Sequence, residues 1–208
     1  MSKIGIMGGT FDPIHNGHLA LAATAYRQFH LDRVYFMPTG TPPHKEGKQV
    51  LKADLRLEMV KLAIADYPYF GYSDLEIQRK GITYTADTLT FLCKQYPKSQ
   101  FYYIVGADSL DYMDQWYHPE IIFQKAVILA AMRQTQSMER ILAVKQMLEQ
   151  KYNGVIYLLD CPEINVSSSE IRNRILRHDS ISGQLPMAVE QFIYEHSLYE
   201  TGSVNRFF

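Results

Sequence analysis

The sequence has 208 residues, 47% hydrophobic and 21% charged, which is the size and composition of a folded globular chain. Its 21 Lys and Arg against 22 Asp and Glu give a net charge of −1, which argues against nucleic acid as a partner. No apolar run approaches the ~20 residues that cross a bilayer, and the N-terminus lacks a signal-peptide pattern, so no membrane partner is expected. Cys93 and Cys161 lie far apart, and we expect reduced thiols in the cytoplasm.

Apolar strand patterns alternate with amphipathic helix patterns along the chain. Strands are predicted at 4–9, 34–37, 70–77, 101–105, 127–131 and 155–159. Helices are predicted over 18–29, 54–65, 85–95, 119–125, 137–150, 167–176 and 186–196. Asn16 is a candidate cap of the first helix, and Ser167 with Glu170 forms a capping box. Because several strands are continuously apolar, we expect an α/β fold: a doubly wound, mostly parallel sheet with helices on both faces, in one domain over 1–208.

A polar turn, Gly8–His18, follows the first predicted strand and reads G-G-T-F-D-P-I-H-N-G-H. Two glycines permit positive φ and close backbone approach, and the next helix start offers N–H groups, so the turn predicts a phosphate site. His15 and His18 are spaced so that both imidazoles point toward that anion, where histidine donates hydrogen bonds and carries partial positive charge near neutrality. A helix-capping histidine or a zinc pair is the alternative, and zinc would need a third ligand.

This turn resembles the signature of the nucleotidyltransferase superfamily with an H-x-G-H motif, and its long form is similar to that of the bacterial nicotinate-nucleotide adenylyltransferases. The resemblance implies a Rossmann-like fold that binds ATP. Residues 164–172 read I-N-V-S-S-S-E-I-R, similar to the superfamily's second motif I-S-S-T-x-I-R except at Asn165-Val166. The resemblance implies His18, His15 and Arg172 as catalytic residues. It implies ATP contacts at Gly8, Gly9, Thr10, Phe11, His15, His18, Gly106, Asp108, Ser167, Ser168 and Arg172.

The middle of the chain carries motifs that resemble the acceptor site of the same family. Thr41-Pro42-Pro43-His44-Lys45 is similar to a loop that closes over substrate phosphate, and G-I-T-Y-T-A-D-T from Gly81 is similar to a carboxylate-binding helix start. Simple capping by Thr85 is the alternative for that helix start. Trp116 has the place of a ring that stacks on a pyridine. The implied substrate contacts are His44, Lys45, Tyr84, Thr85, Trp116, Tyr117 and Arg133.

The resemblance implies transfer of the adenylyl group of ATP to nicotinate mononucleotide in NAD biosynthesis, by direct attack on the α-phosphate. Mg²⁺ is expected mainly on the ATP phosphates, with no protein side chain assigned to it. Nicotinamide mononucleotide or phosphopantetheine as acceptor and CTP as donor stay open, as does a homo-oligomer. A non-catalytic nucleotide sensor on this fold and a zinc hydrolase using His15 and His18 are alternatives of other classes. The expectation depends on residues 8–18 and 164–172 meeting at one site.

Overall fold

The computed structural model of the protein describes residues 1–41, 50–79, 81–131, 138–161 and 165–200, without the side chains of Ala107 and Asp108. Within these ranges strands alternate with helices. The strands are β1 (Ser2–Gly9), β2 (Arg33–Pro38), β3 (Phe70–Tyr72), β4 (Ser99–Gly106), β5 (Ala126–Ala131) and β6 (Ile156–Leu159). The α-helices are α1 (Asn16–Phe29), α2 (Ala53–Ile64), α3 (Leu75–Gln78), α4 (Thr85–Gln95), α5 (Ala107–Leu110), α6 (Pro119–Lys125), α7 (Met138–Tyr152), α8 (Ser168–Leu176) and α9 (Met187–Glu195), and Met113–Gln115 form a 3₁₀ turn.

The strands form one sheet in the order β3-β2-β1-β4-β5-β6. Strand β4 pairs in parallel with both β1 and β5, and β5 pairs in parallel with β6. The chain runs outward from β1 to β3 and then returns to β4 beside β1, so the strand order reverses between β1 and β4. Such a switch point is where open α/β sheets bind ligands, outside the carboxyl ends of the strands. The predicted Rossmann-like, doubly wound, mostly parallel fold is confirmed.

The predicted strand over 70–77 is wrong beyond Tyr72. Leu75–Gln78 instead form α3, because the Leu75 N–H donates to Ser73 Oγ at 3.3 Å and the Gln78 N–H donates to the Asp74 carbonyl at 2.9 Å. Local hydrogen bonding by a serine at a helix start therefore overrides a short alternating apolar pattern. The helices predicted over 85–95 and 119–125 have the predicted bounds.

The chain divides into two compact units, which we describe separately. The first unit comprises Met1–Gly8, Leu21–Tyr35 and Tyr84–Glu163, and in it α6 packs on α4, α7 and β5. The second unit comprises Gly9–Ala20, Phe36–Thr83 and Ile164–Phe208, and in it α2 packs on α9 and β3. Cys93 and Cys161 are free, and no helix in the described ranges is long and apolar enough to span a membrane. The single domain over 1–208 stays a prediction.

Gly154 precedes β6 and leaves no room for a side chain. A Cβ at this position would lie 2.5 Å from Cδ1 of Phe123 and 2.8 Å from its Cβ. We expect Gly154→Ala to lower the free energy of unfolding by about 1–3 kcal/mol, because the buried ring must shift. Chemical denaturation measures this change.

The matched control is Gly106→Ala, because a Cβ on Gly106 meets nothing within 4 Å in the described part of the chain and its φ is −73°. We expect no loss of stability in this variant. Equal stabilities of the two variants would contradict the close packing at Gly154.

Candidate active site

The turn after β1, residues 9–18, is called here the histidine turn. Several of its carbonyl oxygens accept hydrogen bonds from residues of the second unit that are distant in sequence. The Gly9 carbonyl accepts from the Thr39 N–H at 2.9 Å, and the Thr10 carbonyl accepts from Arg56 Nη1 at 2.6 Å. The Asp12 carbonyl accepts from Arg172 Nη1 at 2.6 Å, and the Pro13 carbonyl accepts from Ser168 Oγ at 2.9 Å. These bonds fix the backbone of the turn on both sides of Phe11. They also bring the two sequence motifs together, as the sequence analysis requires.

The two histidines of the turn lie face to face. Their ring centroids are 3.7 Å apart at an interplanar angle of 26°. The His15 carbonyl accepts from the His18 N–H at 2.9 Å, and the His15 N–H donates back to His18 Nδ1 at 3.2 Å. The bond to Nδ1 is one half of a capping box, in which the side chain of the third helical residue, His18, accepts from the backbone N–H of the cap residue, His15. The stacking and the bond to Nδ1 therefore fix the orientation of both imidazoles. Helix capping by a histidine, given above as an alternative to a phosphate site, is present together with the paired histidines.

Asn16 is not the cap that its position suggested. It is the first residue of α1, and its side-chain amide donates to the Gly183 carbonyl at 2.9 Å. Its backbone N–H donates to the Gln184 carbonyl at 3.0 Å. The residue therefore joins the helix start to the loop before α9.

His18 is neutral near pH 7. Burial lowers its pKa well below the ordinary value for histidine, and the charge of His15 lowers it further. Because Nδ1 accepts the His15 N–H, the single proton of the neutral ring lies on Nε2. The expectation of a partial positive charge near neutrality is therefore corrected for His18, which acts as a neutral hydrogen-bond donor.

Gly8 and Gly9 do not supply the positive φ of the histidine turn. Gly8 and Gly9 belong to β1, and Phe11 has the left-handed conformation, with φ of 49°. Close packing explains both glycines instead: a Cβ on Gly8 would lie 2.5 Å from the Tyr103 hydroxyl, and one on Gly9 would lie 3.0 Å from the Phe11 ring. The Phe11 ring in turn meets His18 edge-on, with centroids 5.1 Å apart.

The second motif begins α8 with only half of the predicted capping box. Ser167 Oγ accepts from the Glu170 N–H at 3.1 Å, as predicted. The Glu170 carboxylate accepts instead from Arg174 Nε at 3.1 Å and Arg177 Nη2 at 3.3 Å. Two guanidinium groups thus take the carboxylate, because a charged donor binds it more strongly than a backbone N–H does.

Arg172 and the serines beside it connect α8 to the histidine turn. Besides its bond to the Asp12 carbonyl, Arg172 donates from Nη2 to Ser169 Oγ at 3.3 Å. Ser168 uses its hydroxyl hydrogen on the Pro13 carbonyl. An arginine has five N–H donors, so the half-buried Arg172 keeps others for an anion.

A buried charged cluster contacts the histidine turn, and no sequence pattern indicated it. Asp12, Arg56 and Tyr199 are only 2%, 1% and 3% exposed, and the Tyr199 hydroxyl donates to Asp12 Oδ1 at 2.9 Å. Burial lowers the pKa of Arg56, and the charges of Asp12 and Tyr199 oppose that shift. Burial and the neighbouring Asp12 carboxylate raise the pKa of Tyr199 well above its ordinary value. An arginine inside a predicted amphipathic helix gives no sequence signal of such a role.

Two of the predicted acceptor residues, Thr85 and Trp116, contact Tyr103, a residue of the first unit that no sequence pattern indicated. Thr85 Oγ1 lies 3.2 Å from the Tyr103 hydroxyl, and Trp116 meets the Tyr103 ring edge-on at 6.2 Å. The rings of Tyr84 and Tyr117 stack with centroids 4.2 Å apart. Trp116 is half-buried. Thr85 is the first residue of α4 and not its cap, which is Tyr84.

Some predicted contacts lie outside the described residues. These are His44, Lys45, Arg133 and the side chain of Asp108. Gly106 ends β4, and Asp108 follows in α5. Within the described ranges, no group of three or more His, Cys, Asp or Glu side chains is arranged to hold a metal ion.

Residues 6–174 match the cytidylyltransferase-like family model. The match covers both motifs of the site and the sheet that carries them. The chain therefore belongs to the cytidylyltransferase-like family, and it is an enzyme of the nucleotidyltransferase type.

Curated relatives narrow this class. A protein of Lachnoclostridium phytofermentans named "Probable nicotinate-nucleotide adenylyltransferase" is 44% identical, with 96% of this chain and 100% of its own length covered. A protein of Desulfitobacterium hafniense with the same name is 40% identical, with 95% of each chain covered. Within its family, the chain belongs with the nicotinate-nucleotide adenylyltransferases.

A solved structure supports the fold. The Plasmodium falciparum nicotinic acid mononucleotide adenylyltransferase complexed with NaAD superposes with a TM-score of 0.79 at 21% identity, covering 96% of this chain and 98% of its own. The same protein complexed with APC has a TM-score of 0.75 at 20% identity, with the same coverage.

The Tyr199 hydroxyl gives the buried Asp12 carboxylate one of its donors. We expect Tyr199→Phe to lower the free energy of unfolding by about 1–3 kcal/mol, because a buried acceptor loses a hydrogen bond without gaining water. Chemical denaturation at neutral pH measures the loss. The control is Tyr96→Phe at a residue that is 58% exposed, where no such loss is expected. Equal stabilities would contradict the importance of this bond.

Proposed function

We propose that this enzyme transfers the adenylyl group of ATP to nicotinate mononucleotide and releases nicotinate adenine dinucleotide and pyrophosphate, a step of NAD biosynthesis. The observation that carries the proposal is the stacked His15–His18 pair in a turn that Arg172 and Ser168 hold from the second motif. Imidazole, guanidinium and hydroxyl donors at one place are suited to a chain of phosphates. The names of the relatives support the pyridine nucleotide as acceptor.

The reaction needs positioning and charge stabilisation more than proton transfer. A phosphate oxygen of the mononucleotide attacks the α-phosphorus of ATP, and the bond from that phosphorus to the pyrophosphate oxygen breaks. The attacking phosphate is already anionic at pH 7, so no strong general base is required. His18 donates its Nε2–H to an α-phosphate oxygen, and that bond strengthens as negative charge develops there. His15 orients His18 through its backbone N–H and its stacked ring.

The start of α8 binds the departing pyrophosphate in this proposal. Ser167 Oγ accepts from the Glu170 N–H and Ser169 Oγ accepts from Arg172, so both hydroxyl hydrogens are available for phosphate oxygens. Ser168 instead spends its hydrogen on Pro13 and holds the turn. Arg172 contributes its remaining N–H groups and its charge. The proposed ATP contacts also include Gly8, Gly9, Thr10, Phe11, Gly106 and Asp108.

The pyridine nucleotide is proposed to bind in the first unit. Trp116 stacks on the pyridine ring, and Tyr84 and Tyr117 contribute further aromatic surface. The carboxylate of nicotinate lies at the start of α4 near Thr85, where the helix dipole favours an anion. His44, Lys45 and Arg133 are proposed cations for the phosphate of the mononucleotide.

The metal of the proposal is Mg²⁺. Apart from the buried Asp12 carboxylate, which accepts from Tyr199, the groups described around the histidine turn are cations, imidazoles and hydroxyls, which do not form a Mg²⁺ cage. Mg²⁺ is commonly bound through substrate phosphates and water. We therefore assign the ion to the phosphates of ATP, where it neutralises charge on pyrophosphate when bound. A cytoplasmic location also belongs to the proposal, and the two free cysteines support it.

The proposal predicts which pairs of substrates release pyrophosphate. The purified full chain is incubated with Mg²⁺, with ATP or CTP as donor and with nicotinate mononucleotide, nicotinamide mononucleotide or phosphopantetheine as acceptor. We expect the fastest release with ATP and nicotinate mononucleotide, and loss of release in EDTA. His18→Ala, prepared in parallel, is expected to lower kcat by about 10²–10³-fold and excludes a contaminating enzyme. No release with any pair would favour a nucleotide sensor.

The neutral state of His18 predicts the pH dependence of kcat. Because its pKa is lowered, His18 keeps its Nε2–H and an unprotonated Nδ1 as the pH falls from about 8 through about 6.5, the ordinary histidine value. We expect kcat to stay level over this range and to fall at more acid pH, where Nδ1 takes a proton and loses the His15 N–H. Saturating both substrates at each pH gives the profile. A kcat that rises on acidification through 6.5 would show a cationic imidazole at work.

A further inference from the structure

We infer that Arg56 is a positioning residue for the reaction: its guanidinium fixes the backbone that presents His15 and His18 to the α-phosphate. The inference rests on the proposed function and adds a residue that no motif of the sequence contains. Arg56 lies in the first turn of α2 and is only 1% exposed. A side chain so deeply buried does not touch a nucleotide, so its effect must pass through the residues that it holds.

Arg56 joins three separate segments of backbone. Nε donates to the Leu51 carbonyl at 2.9 Å, and Nη2 donates to the carbonyls of Thr39 at 2.7 Å and Gly40 at 3.1 Å. Nη1 donates to the Thr10 carbonyl at 2.6 Å. Acceptors in three segments require the planar guanidinium of arginine, because a lysine ammonium is a compact group at the end of a flexible side chain.

The bond to Thr10 has a consequence for the histidines because of Phe11. This residue holds a left-handed backbone, which persists in a non-glycine residue only when its surroundings enforce it. Arg56 binds the carbonyl before Phe11, and Arg172 binds the carbonyl after it, at Asp12. The Phe11 ring meets the His18 ring edge-on. Release of Thr10 would therefore let Phe11 relax, and the contact that supports His18 would move.

The charge of Arg56 is balanced within the same cluster. The Asp12 carboxylate and the Tyr199 hydroxyl interact electrostatically with the guanidinium, and they oppose the effect of burial on it. An arginine side chain stays protonated in proteins, so Arg56 keeps all five of its N–H donors. A neutral replacement would leave four backbone carbonyls without these donors, and a lysine would satisfy only some of them.

The test compares Arg56→Lys and Arg56→Met with a control that is destabilised elsewhere. Leu148→Ala serves as the control, because Leu148 is fully buried in α7 of the first unit and does not belong to the histidine turn. The purified full chains are assayed with ATP and nicotinate mononucleotide for kcat and for the KM of each substrate. The unliganded proteins, labelled with ¹⁵N-histidine, are examined by NMR for the tautomer of His18, which is assigned with His18→Gln.

We expect Arg56→Lys to fold, to lower kcat by about 10- to 100-fold and to change the KM for ATP by less than about 3-fold, as misplacement of a catalytic group does. The His18 signals should shift from the Nε2–H form toward a mixture of tautomers. Leu148→Ala should keep the wild-type His18 signals. Arg56→Met should show a larger loss of kcat and a larger shift of the His18 signals. If Arg56→Met fails to fold, the result for Arg56→Lys decides whether the inference holds.

Arg56→Lys with wild-type kcat and wild-type His18 signals would overturn the inference. A loss of kcat that Leu148→Ala reproduces, with His18 signals unchanged in both, would also overturn it, because the role would then be stability alone. The NMR result does not depend on which nucleotides react. Inactivity of the wild-type chain with every substrate pair would instead count against the proposed function.

Discussion

The hydrogen bonds to the carbonyl oxygens of the histidine turn are the constraint on which the site depends. A turn of this kind has no regular partner strand or helix for its backbone, and buried polar groups must find partners. Here Thr39, Arg56, Arg172 and Ser168 supply the donors. Because these carbonyls are hydrogen-bonded, the two imidazoles extend from a backbone that is fixed at several points. Pre-organisation of this sort lowers the cost of charge stabilisation in the transition state.

The proposed anion site does not accumulate uncompensated positive charge. Arg56 and Arg172 both contact the histidine turn, and the buried Asp12 carboxylate interacts electrostatically with Arg56. Tyr199 adds a neutral donor to that carboxylate, which keeps it from remaining unsatisfied. His18 contributes no charge at all near neutrality. In the proposed reaction, attraction for a triphosphate comes from a guanidinium, from hydroxyl hydrogens and from an oriented neutral imidazole.

Sequence patterns predicted the sheet, most helix bounds and both motifs, because apolar periodicity and local helix-start chemistry depend on neighbours in the chain. They failed where the deciding partner is distant or where local bonding competes. Tyr103 was hidden in an apolar strand, and Arg56 in an amphipathic helix, since neither carries a local sign of its contacts. The segment after Tyr72 was mistaken for a strand because Ser73 bonds locally. The protonation of His18 followed from burial, which no spacing of residues reveals.

The order in which the histidine turn acquires its partners follows from their separation along the chain. Ser168 bonds a residue 155 positions earlier, Arg172 one 160 positions earlier and Tyr199 one 187 positions earlier. Contacts of such long range form late in folding, because the intervening chain must first give up its freedom. During synthesis the first motif leaves the ribosome early but lacks these anchors until residues 168–199 have followed. The histidine turn therefore acquires its full set of anchors only after the second motif and Tyr199 have been synthesised.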